Sequence, residues 1–200
     1  WALDYGKTIN QFHFARLSSE DVKRNINESL LNSSTDTIFL FFEENKLNCL
    51  EYNLNVYDAG NYIIGYSGVF DGYTPINKRD ISMEWTFGNE QYLEDDGGED
   101  KVDGRYLYAG KLSYGPYWQV SSGTWVINIS GEDLDTAAEI SIYSQYGQQH
   151  HDFYVKEETP NNIVIQLSLE QNVEDLEILV RNISKETIKL RSIELKMANE

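Results

Sequence analysis

The chain has 200 residues, with 16 Lys and Arg against 33 Asp and Glu, and a formal net charge of −17 at pH 7. This excess of negative charge repels phosphate groups, which excludes nucleic acid and anionic membrane surfaces as favourable partners. The 14 Tyr, 8 Phe and 4 Trp supply apolar surface that a disordered acidic tail lacks. We therefore expect a folded chain with room for one sandwich-sized domain and a small addition.

The single cysteine, Cys49, excludes an internal disulfide framework and a cysteine-based zinc site. We interpret it as a small packed residue. The longest apolar run, 38–42, has the length of a strand and falls short of the roughly twenty residues that span a bilayer. We therefore predict no membrane insertion by this segment. The chain starts at Trp1 with no signal segment, so we interpret it as a piece of a longer protein with further domains.

Residues 1–47 are predicted to form a helix followed by a strand. Ser18 and Asp21 have the spacing of a capping box, and apolar residues then recur at intervals of four. The apolar run at 37–42 predicts a buried strand. This segment is either the tail of a preceding domain or a decoration on the domain that follows, which we place at 48–200.

Apolar and polar residues alternate with period two over most of 48–200. The alternation is clearest at 81–87, 125–129, 163–169 and 176–180. With the remaining segments it predicts about ten short strands, each with one buried face. The chain is thus predicted to be mainly β, an antiparallel β-sandwich of jelly-roll type with helix confined to the N-terminal segment. Further strands are predicted at 48–56, 62–69, 106–112, 139–146, 153–156 and 188–195.

The stretch 113–131, SYGPYWQVSSGTWVINISG, combines a Gly-Pro turn, four aromatic rings and a strand that begins near Trp125. In this stretch and in the closing patterns 176–182 and 188–195, the chain resembles carbohydrate-binding-module-like jelly rolls of bacterial surface and glycan-processing proteins. The resemblance covers about 51–196. It implies a polysaccharide or oligosaccharide partner and an extracellular or cell-surface location. Similar domains are appended to membrane-embedded enzymes of polysaccharide assembly.

Aromatic residues beside polar loops are the candidate sugar-binding residues. The C–H face of a pyranose packs on a flat ring, while polar side chains hold the hydroxyl groups. Tyr117 and Trp118 are consecutive in an extended segment, so one ring is expected inside and the other outside. We take Trp118 as a candidate for the exposed ring. The complete set of candidates is Trp118, Tyr114, Tyr117, Tyr92 and Tyr106.

The acidic loop 94–104 contains the candidate metal ligands. Its carboxylates surround three glycines, and Ca²⁺ takes about six to eight oxygen ligands. The spacing differs from that of the helix-loop-helix calcium motif. A structural calcium ion is one interpretation, and a solvated hairpin loop is the other. The candidate ligands are Asp95, Asp96, Glu99, Asp100 and Asp103.

No motif in the sequence specifies a reaction. A nucleophile elbow, a phosphate-binding loop, a dinucleotide fingerprint and a zinc-protease motif are all missing. With 33 acidic residues, a catalytic carboxylate pair is neither established nor excluded. We predict a non-catalytic, extracytoplasmic module that binds or positions glycan for a larger protein. The alternatives are a structural or protein-interaction sandwich and a small jelly-roll enzyme that acts on glycans.

Overall fold

The structure is a computed structural model that describes residues 8–9, 24, 37–42, 49–50, 52–59, 62–68, 72–87 and 98–198. The chain divides into two compact units, Trp1–Ile81 and Ser82–Glu200. Of the predicted N-terminal helix only Arg24 is described, and it is helical. In the described ranges, no helix has the length and apolar character needed to cross a membrane.

The first unit contains one four-stranded sheet. Its strands are β1 (Thr8–Ile9), β2 (Thr37–Phe42), β3 (Asn55–Asp58) and β4 (Tyr62–Tyr66). Their order in the sheet is β1-β2-β4-β3, and only the β1–β2 pair is parallel. The predicted strand at 37–42 is confirmed with the same bounds. A buried cluster on this sheet consists of Ile38, Tyr57, Ile64 and Tyr66.

The pairing of β2 with β4 joins residues from both sides of the predicted division at 47/48. Phe41, for example, is opposite Ile63. The backbone N–H and C=O groups of β2 need a neighbouring strand, and the sequence pattern does not show which strand supplies it. The predicted strand at 48–56 begins only at Asn55, although Tyr52, Leu54 and Val56 are buried in alternation as predicted.

Cys49 lies in a short helical turn of the first unit and is fully buried. Burial raises the pKa of its thiol to about 12, with a smaller opposing effect from Lys78. The thiol is therefore protonated at neutral pH. Lys78 donates a hydrogen bond to the Tyr52 carbonyl oxygen. Cys49 is a small packed side chain, as the sequence predicts.

The second unit contains two antiparallel sheets. The first has the order β13-β14-β10-β16-β7-β6, with β5 also paired to β16; the second has the order β12-β11-β15-β8, with β9 also paired to β15. Their strands are β5 (Ser82–Thr86), β6 (Gly98–Lys101), β7 (Gly104–Leu107), β8 (Leu112–Ser113), β9 (Pro116–Val120), β10 (Gly123–Glu132), β11 (Ala138–Ser144), β12 (Gln149–His150), β13 (Phe153–Thr159), β14 (Asn162–Leu169), β15 (Val173–Asn182) and β16 (Ile188–Met197).

The two sheets pack as a sandwich. Hydrogen bonds cross between them, from Arg105 of β7 to the Ser113 hydroxyl of β8 (3.0 Å) and from the Asn182 side chain of β15 to the Leu107 carbonyl (2.8 Å). Each fully buried aliphatic side chain contributes about 1.5–3 kcal/mol. The predicted antiparallel β-sandwich is confirmed. Fully buried residues in alternation are Trp125, Ile127 and Ile129 on β10 and Leu176, Ile178 and Val180 on β15.

Two predicted strands are shorter in the structure because the backbone turns. The strand predicted at 106–112 ends at Leu107, and Gly110 then takes a φ of 76°. The strand predicted at 139–146 ends at Ser144, since Gln145 and Tyr146 have φ values of 53° and 55°. Two consecutive residues in this left-handed conformation turn the chain out of the extended backbone of a strand.

Candidate functional site

The second sheet of the sandwich borders a concave surface with a volume of about 990 Å³. Across its floor, Tyr143 of β11 is opposite Glu177 of β15, which in turn is opposite Pro116 of β9. The aromatic lining residues are Trp85, Tyr114, Tyr117, Tyr143 and Tyr146, and the acidic ones are Glu174, Asp175 and Glu177. The remaining lining residues are Gly115, Pro116, Gly147 and Leu179.

Glycine at position 115 allows the chain to approach the indole of Trp85. A Cβ atom there would come within 2.9 Å of the Trp85 ring, and Gly115 itself has a φ of 119°. Trp85 is 5% exposed, as expected for a residue on the buried face of its strand. Its ring therefore belongs to the core and also forms part of the concavity.

Tyr117 and Tyr146 occupy strained backbone positions on this surface. Their φ values are 64° and 55°, and their exposed fractions are 45% and 89%. The left-handed region is unfavourable for residues with a Cβ atom. The described part of the chain has four such non-glycine residues, and Tyr117, Gln145 and Tyr146 all lie in or beside the concavity. Strain of this kind tends to persist where function requires it.

Asp175 holds the turn that presents Tyr146. Its two carboxylate oxygens accept hydrogen bonds from the backbone N–H groups of Gln145 (2.8 Å) and Tyr146 (2.7 Å). Gly147 completes the turn with a φ of 79°. Charge-assisted hydrogen bonds of this type are stronger than neutral ones. A side chain of β15 thus fixes the position of a ring at the end of β11.

Glu177 is a half-buried carboxyl on the floor of the concavity. Burial raises its pKa, and the neighbouring Asp175 carboxylate raises it further, while a hydrogen bond from the Tyr117 hydroxyl acts in the opposite direction. None of the described lining residues is Lys, Arg or His. The surface therefore offers flat rings for stacking and carboxylate oxygens as hydrogen-bond acceptors.

Of the predicted sugar-binding residues, the structure brings Tyr114 and Tyr117 together at the concavity. Trp118 is only 7% exposed and is opposite Leu176 of β15, so its ring is part of the core. The exposed ring of this pair is Tyr117, which corrects the interpretation of Trp118 as the exposed one. Tyr92 lies outside the described residues.

Tyr106 lies on the β6–β7 hairpin and is not among the residues that line the concavity. Its hydroxyl donates a hydrogen bond to Asp103 (3.0 Å), and its ring is 4.4 Å from the Lys101 ammonium group. These contacts give Tyr106 a role in holding the hairpin.

The described candidate calcium ligands each contact a cationic side chain. The pairs are Glu99 with Lys101 (3.3 Å), Asp100 with Arg105 (2.9 Å) and Asp103 with Lys189 (2.5 Å). Asp95 and Asp96 lie outside the described residues. Across the described ranges, no group of three or more His, Cys, Asp or Glu is arranged to hold a metal ion. Calcium binding by this loop stays a prediction.

Five lining residues of the concavity, contributed by β11, the turn after it and β15, were not predicted from the sequence. Gly147 indicates a turn directly after Tyr146. The apolar alternation nevertheless predicts Tyr146 at the end of a strand. The acidic residues of β15 gave no signal, because solvated carboxylates are common in a chain with 33 of them. The missed residues are Tyr143, Tyr146, Glu174, Asp175 and Glu177.

No protein-family model matches the chain, and no curated protein matches it. Among solved structures it is similar to the C-terminal carbohydrate-binding module, CBM6, of the laminarinase LamC from Zobellia galactanivorans. The identity is 12% and the TM-score 0.40, and the match covers 58% of this chain and 99% of that one.

Two further carbohydrate-binding modules show the same level of similarity. CBM6cm-2 of Cellvibrio mixtus lichenase 5A, solved with cellotriose, is 13% identical with a TM-score of 0.35, over 57% of this chain and 93% of that one. The CBM36-1 domain of a xylanase from the hindgut metagenome of Trinervitermes trinervoides is 14% identical with a TM-score of 0.36, over 60% of this chain and all of that one.

Proposed function

We propose that the concavity on the second sheet binds glycan and that the chain is a carbohydrate-binding module of a larger extracellular or cell-surface protein. One observation carries the proposal. Tyr117 and Tyr146 are exposed on a concave, tyrosine-lined surface, and both are held in a backbone conformation that is unfavourable for their residue type. A purely structural role for this backbone conformation would favour glycine or asparagine at both positions.

In this proposal the rings and the carboxylates have separate roles. The C–H face of a sugar ring packs on Tyr117 or Tyr146 and is removed from water. The carboxylates of Glu174 and Glu177 accept hydrogen bonds from hydroxyl groups at the edge of the sugar. The hydrogen bonds that Asp175 accepts from the 145–146 backbone keep the Tyr146 turn preorganised, which lowers the entropic cost of binding.

The test is a binding titration of the full chain against a panel of neutral, amino-bearing and acidic polysaccharides, followed by calorimetry or intrinsic fluorescence. We expect saturable binding to at least one of them. Tyr117→Ala and Tyr146→Ala should each weaken it by about tenfold or more, as central aromatic residues of binding surfaces do. Tyr154→Ala is the matched control, because Tyr154 is 69% exposed on β13 and does not line the concavity.

Two outcomes contradict the proposal. One is the absence of binding across the panel by a protein that unfolds cooperatively. The other is binding that is as sensitive to Tyr154→Ala as to Tyr146→Ala. Repeating each titration with added calcium tests the predicted calcium ion separately. A change in binding or fluorescence on calcium addition that is lost in Asp103→Asn would assign the ion to the acidic hairpin.

A second candidate function is glycan hydrolysis, because Glu174 and Glu177 line the same concavity. Glycosidases use two carboxyl groups, one with a raised pKa as the acid, and the pKa of Glu177 is raised. New reducing ends in a bound polysaccharide, lost in Glu177→Gln, would establish this activity. Binding without the release of new reducing ends would favour the non-catalytic module over the enzyme.

A further inference from the structure

We propose that the concavity selects glycans that carry protonated amino groups, of the glucosamine type, over neutral and acidic glycans. This inference rests on the proposed function, since it names the class of sugar for the same surface. Its basis is the combination of tyrosine rings, carboxylates and the lack of cationic side chains among the described lining residues.

Two carboxylates elsewhere in the second unit are paired with cationic side chains. Asp100 binds the buried guanidinium of Arg105 through two bonds of 2.9 Å, and Asp103 contacts the ammonium group of Lys189 at 2.5 Å. In the concavity, Asp175 accepts bonds from backbone N–H groups, and Glu177 accepts one from the Tyr117 hydroxyl. These neutral donors leave the negative charge of both side chains in place.

The location of Glu177 makes its charge relevant to a ligand. It lies between Tyr143 and Pro116 on the floor, where it would be covered by a sugar stacked on the tyrosines. Burial and the nearby Asp175 already raise its pKa, which is the response of a carboxyl group that lacks a compensating positive charge. An ammonium group offers that charge together with three N–H donors.

The two described histidines beside the concavity do not supply this charge. Burial lowers the pKa of His151, and this effect outweighs the opposing influence of Asp175, so the neutral imidazole is favoured. The imidazole of His150 packs edge-on against the Tyr143 ring at 5.2 Å, and its Nδ1 lies 3.6 Å from Asp152. The tyrosine rings favour a cation further, because an ammonium group is attracted to the face of an aromatic ring. Uronic or sulfated sugars would instead meet like charge, in a chain whose net charge is already −17.

The experiment compares three hexasaccharides with the same β-1,4 linkage, composed of glucosamine, glucose or glucuronic acid, at a pH below the amine pKa. We expect the full chain to bind the glucosamine hexamer at least about fivefold more tightly than the glucose hexamer, the effect of one partly screened ion pair. The glucuronic acid hexamer should bind most weakly. Glu177→Gln and Glu174→Gln should each reduce the glucosamine-to-glucose ratio, because loss of the negative charge weakens glucosamine binding more than glucose binding.

The matched control is Glu157→Gln, which removes one negative charge from β13, outside the concavity. It should leave the ratio unchanged. An equal loss in Glu157→Gln, or equal affinities for all three hexamers, overturns the amino-sugar inference; sensitivity of that binding to Tyr146→Ala would still support the proposed glycan function. No binding of any hexamer overturns the inference and counts against the proposed function. Thermal unfolding of each variant confirms that it is folded.

Discussion

Tyr117 and Trp118 are neighbouring aromatic residues with opposite environments. Trp118 pairs in register with Leu176 and is buried, whereas Tyr117, with a φ of 64°, remains 45% exposed. Strand alternation alone predicts that the two rings point to opposite sides. It does not predict which one is inside, because that depends on the register of β9 on β15.

Tyr146→Gly tests whether the left-handed turn residue is retained for binding. Glycine is unstrained at a φ of 55°, so we expect the free energy of unfolding to rise by about 0.5–1 kcal/mol. Glycan affinity should fall at the same time, because the ring is lost. Chemical denaturation and a binding titration measure the two effects. Tyr154→Gly, in the interior of strand β13, is the control and should destabilise the protein.

Glu177→Gln tests the electrostatic cost of the floor carboxylate. Because the pKa of Glu177 is raised in the folded state, the folded protein binds more protons between the unfolded and folded pKa values. The contribution of Glu177 to stability therefore falls as pH rises through that window. We expect the substitution to raise the free energy of unfolding at neutral pH, by no more than about 0.5 kcal/mol after solvent screening.

The advantage of Glu177→Gln should disappear as pH falls below the ordinary Glu pKa, where both states of the wild-type carboxyl are protonated. Glutamine keeps an oxygen that can accept the Tyr117 hydrogen bond. Denaturation curves at several pH values provide the measurement. A difference between variant and wild type that grows towards low pH would contradict the assigned direction of the pKa shift.

At the scale of elements, the β6–β7 hairpin is attached to the sandwich through Arg105. This guanidinium is fully buried, packs 5.3 Å from the Phe87 ring centre, and is bound by Asp100 and Ser113. A buried cation requires such partners, because removing one leaves a charge without compensation. The acidic residues of this hairpin, predicted as metal ligands, therefore also have a structural role in the described segment.

Asp100→Asn should lower the free energy of unfolding by about 3 kcal/mol, since it removes the negative charge opposite buried Arg105. Glu99→Gln is the control in the same strand, where the pair with Lys101 is exposed, and it should have little effect. Urea denaturation distinguishes the two variants. Equal stabilities for both would show that Arg105 does not depend on Asp100.

At the scale of the whole molecule, the described residues that line the concavity all belong to the second compact unit, Ser82–Glu200. That unit contains both sheets of the sandwich and its own buried core. We therefore expect a chain of residues 82–200 to unfold cooperatively and to bind the same glycan with a Kd within about twofold of the full chain. A fragment that unfolds without cooperativity, or loses binding while folded, would show that the first unit is needed.

Much of the sandwich could be predicted from period-two alternation. The patterns at 163–169 and 176–180 became β14 and β15, and 37–42 became β2 with unchanged bounds. The strand predicted at 139–146 ended early because Gln145 and Tyr146 have positive φ values, so that local backbone conformation overrode the apolar pattern. Two of the five described aromatic lining residues could also be predicted, because Tyr114 and Tyr117 flank a recognisable Gly-Pro turn.

The sequence by itself determined the class of the fold, the acidic charge and the polar turns that carry aromatic rings, because each of these depends on composition or on neighbours along the chain. Only the tertiary structure decided that Tyr143, Glu177 and Pro116 are side by side, that Asp175 holds the Tyr146 turn, and that Trp118 is buried. These features depend on strand order and register. Both are set by the packing of distant segments into one core, which no local pattern encodes.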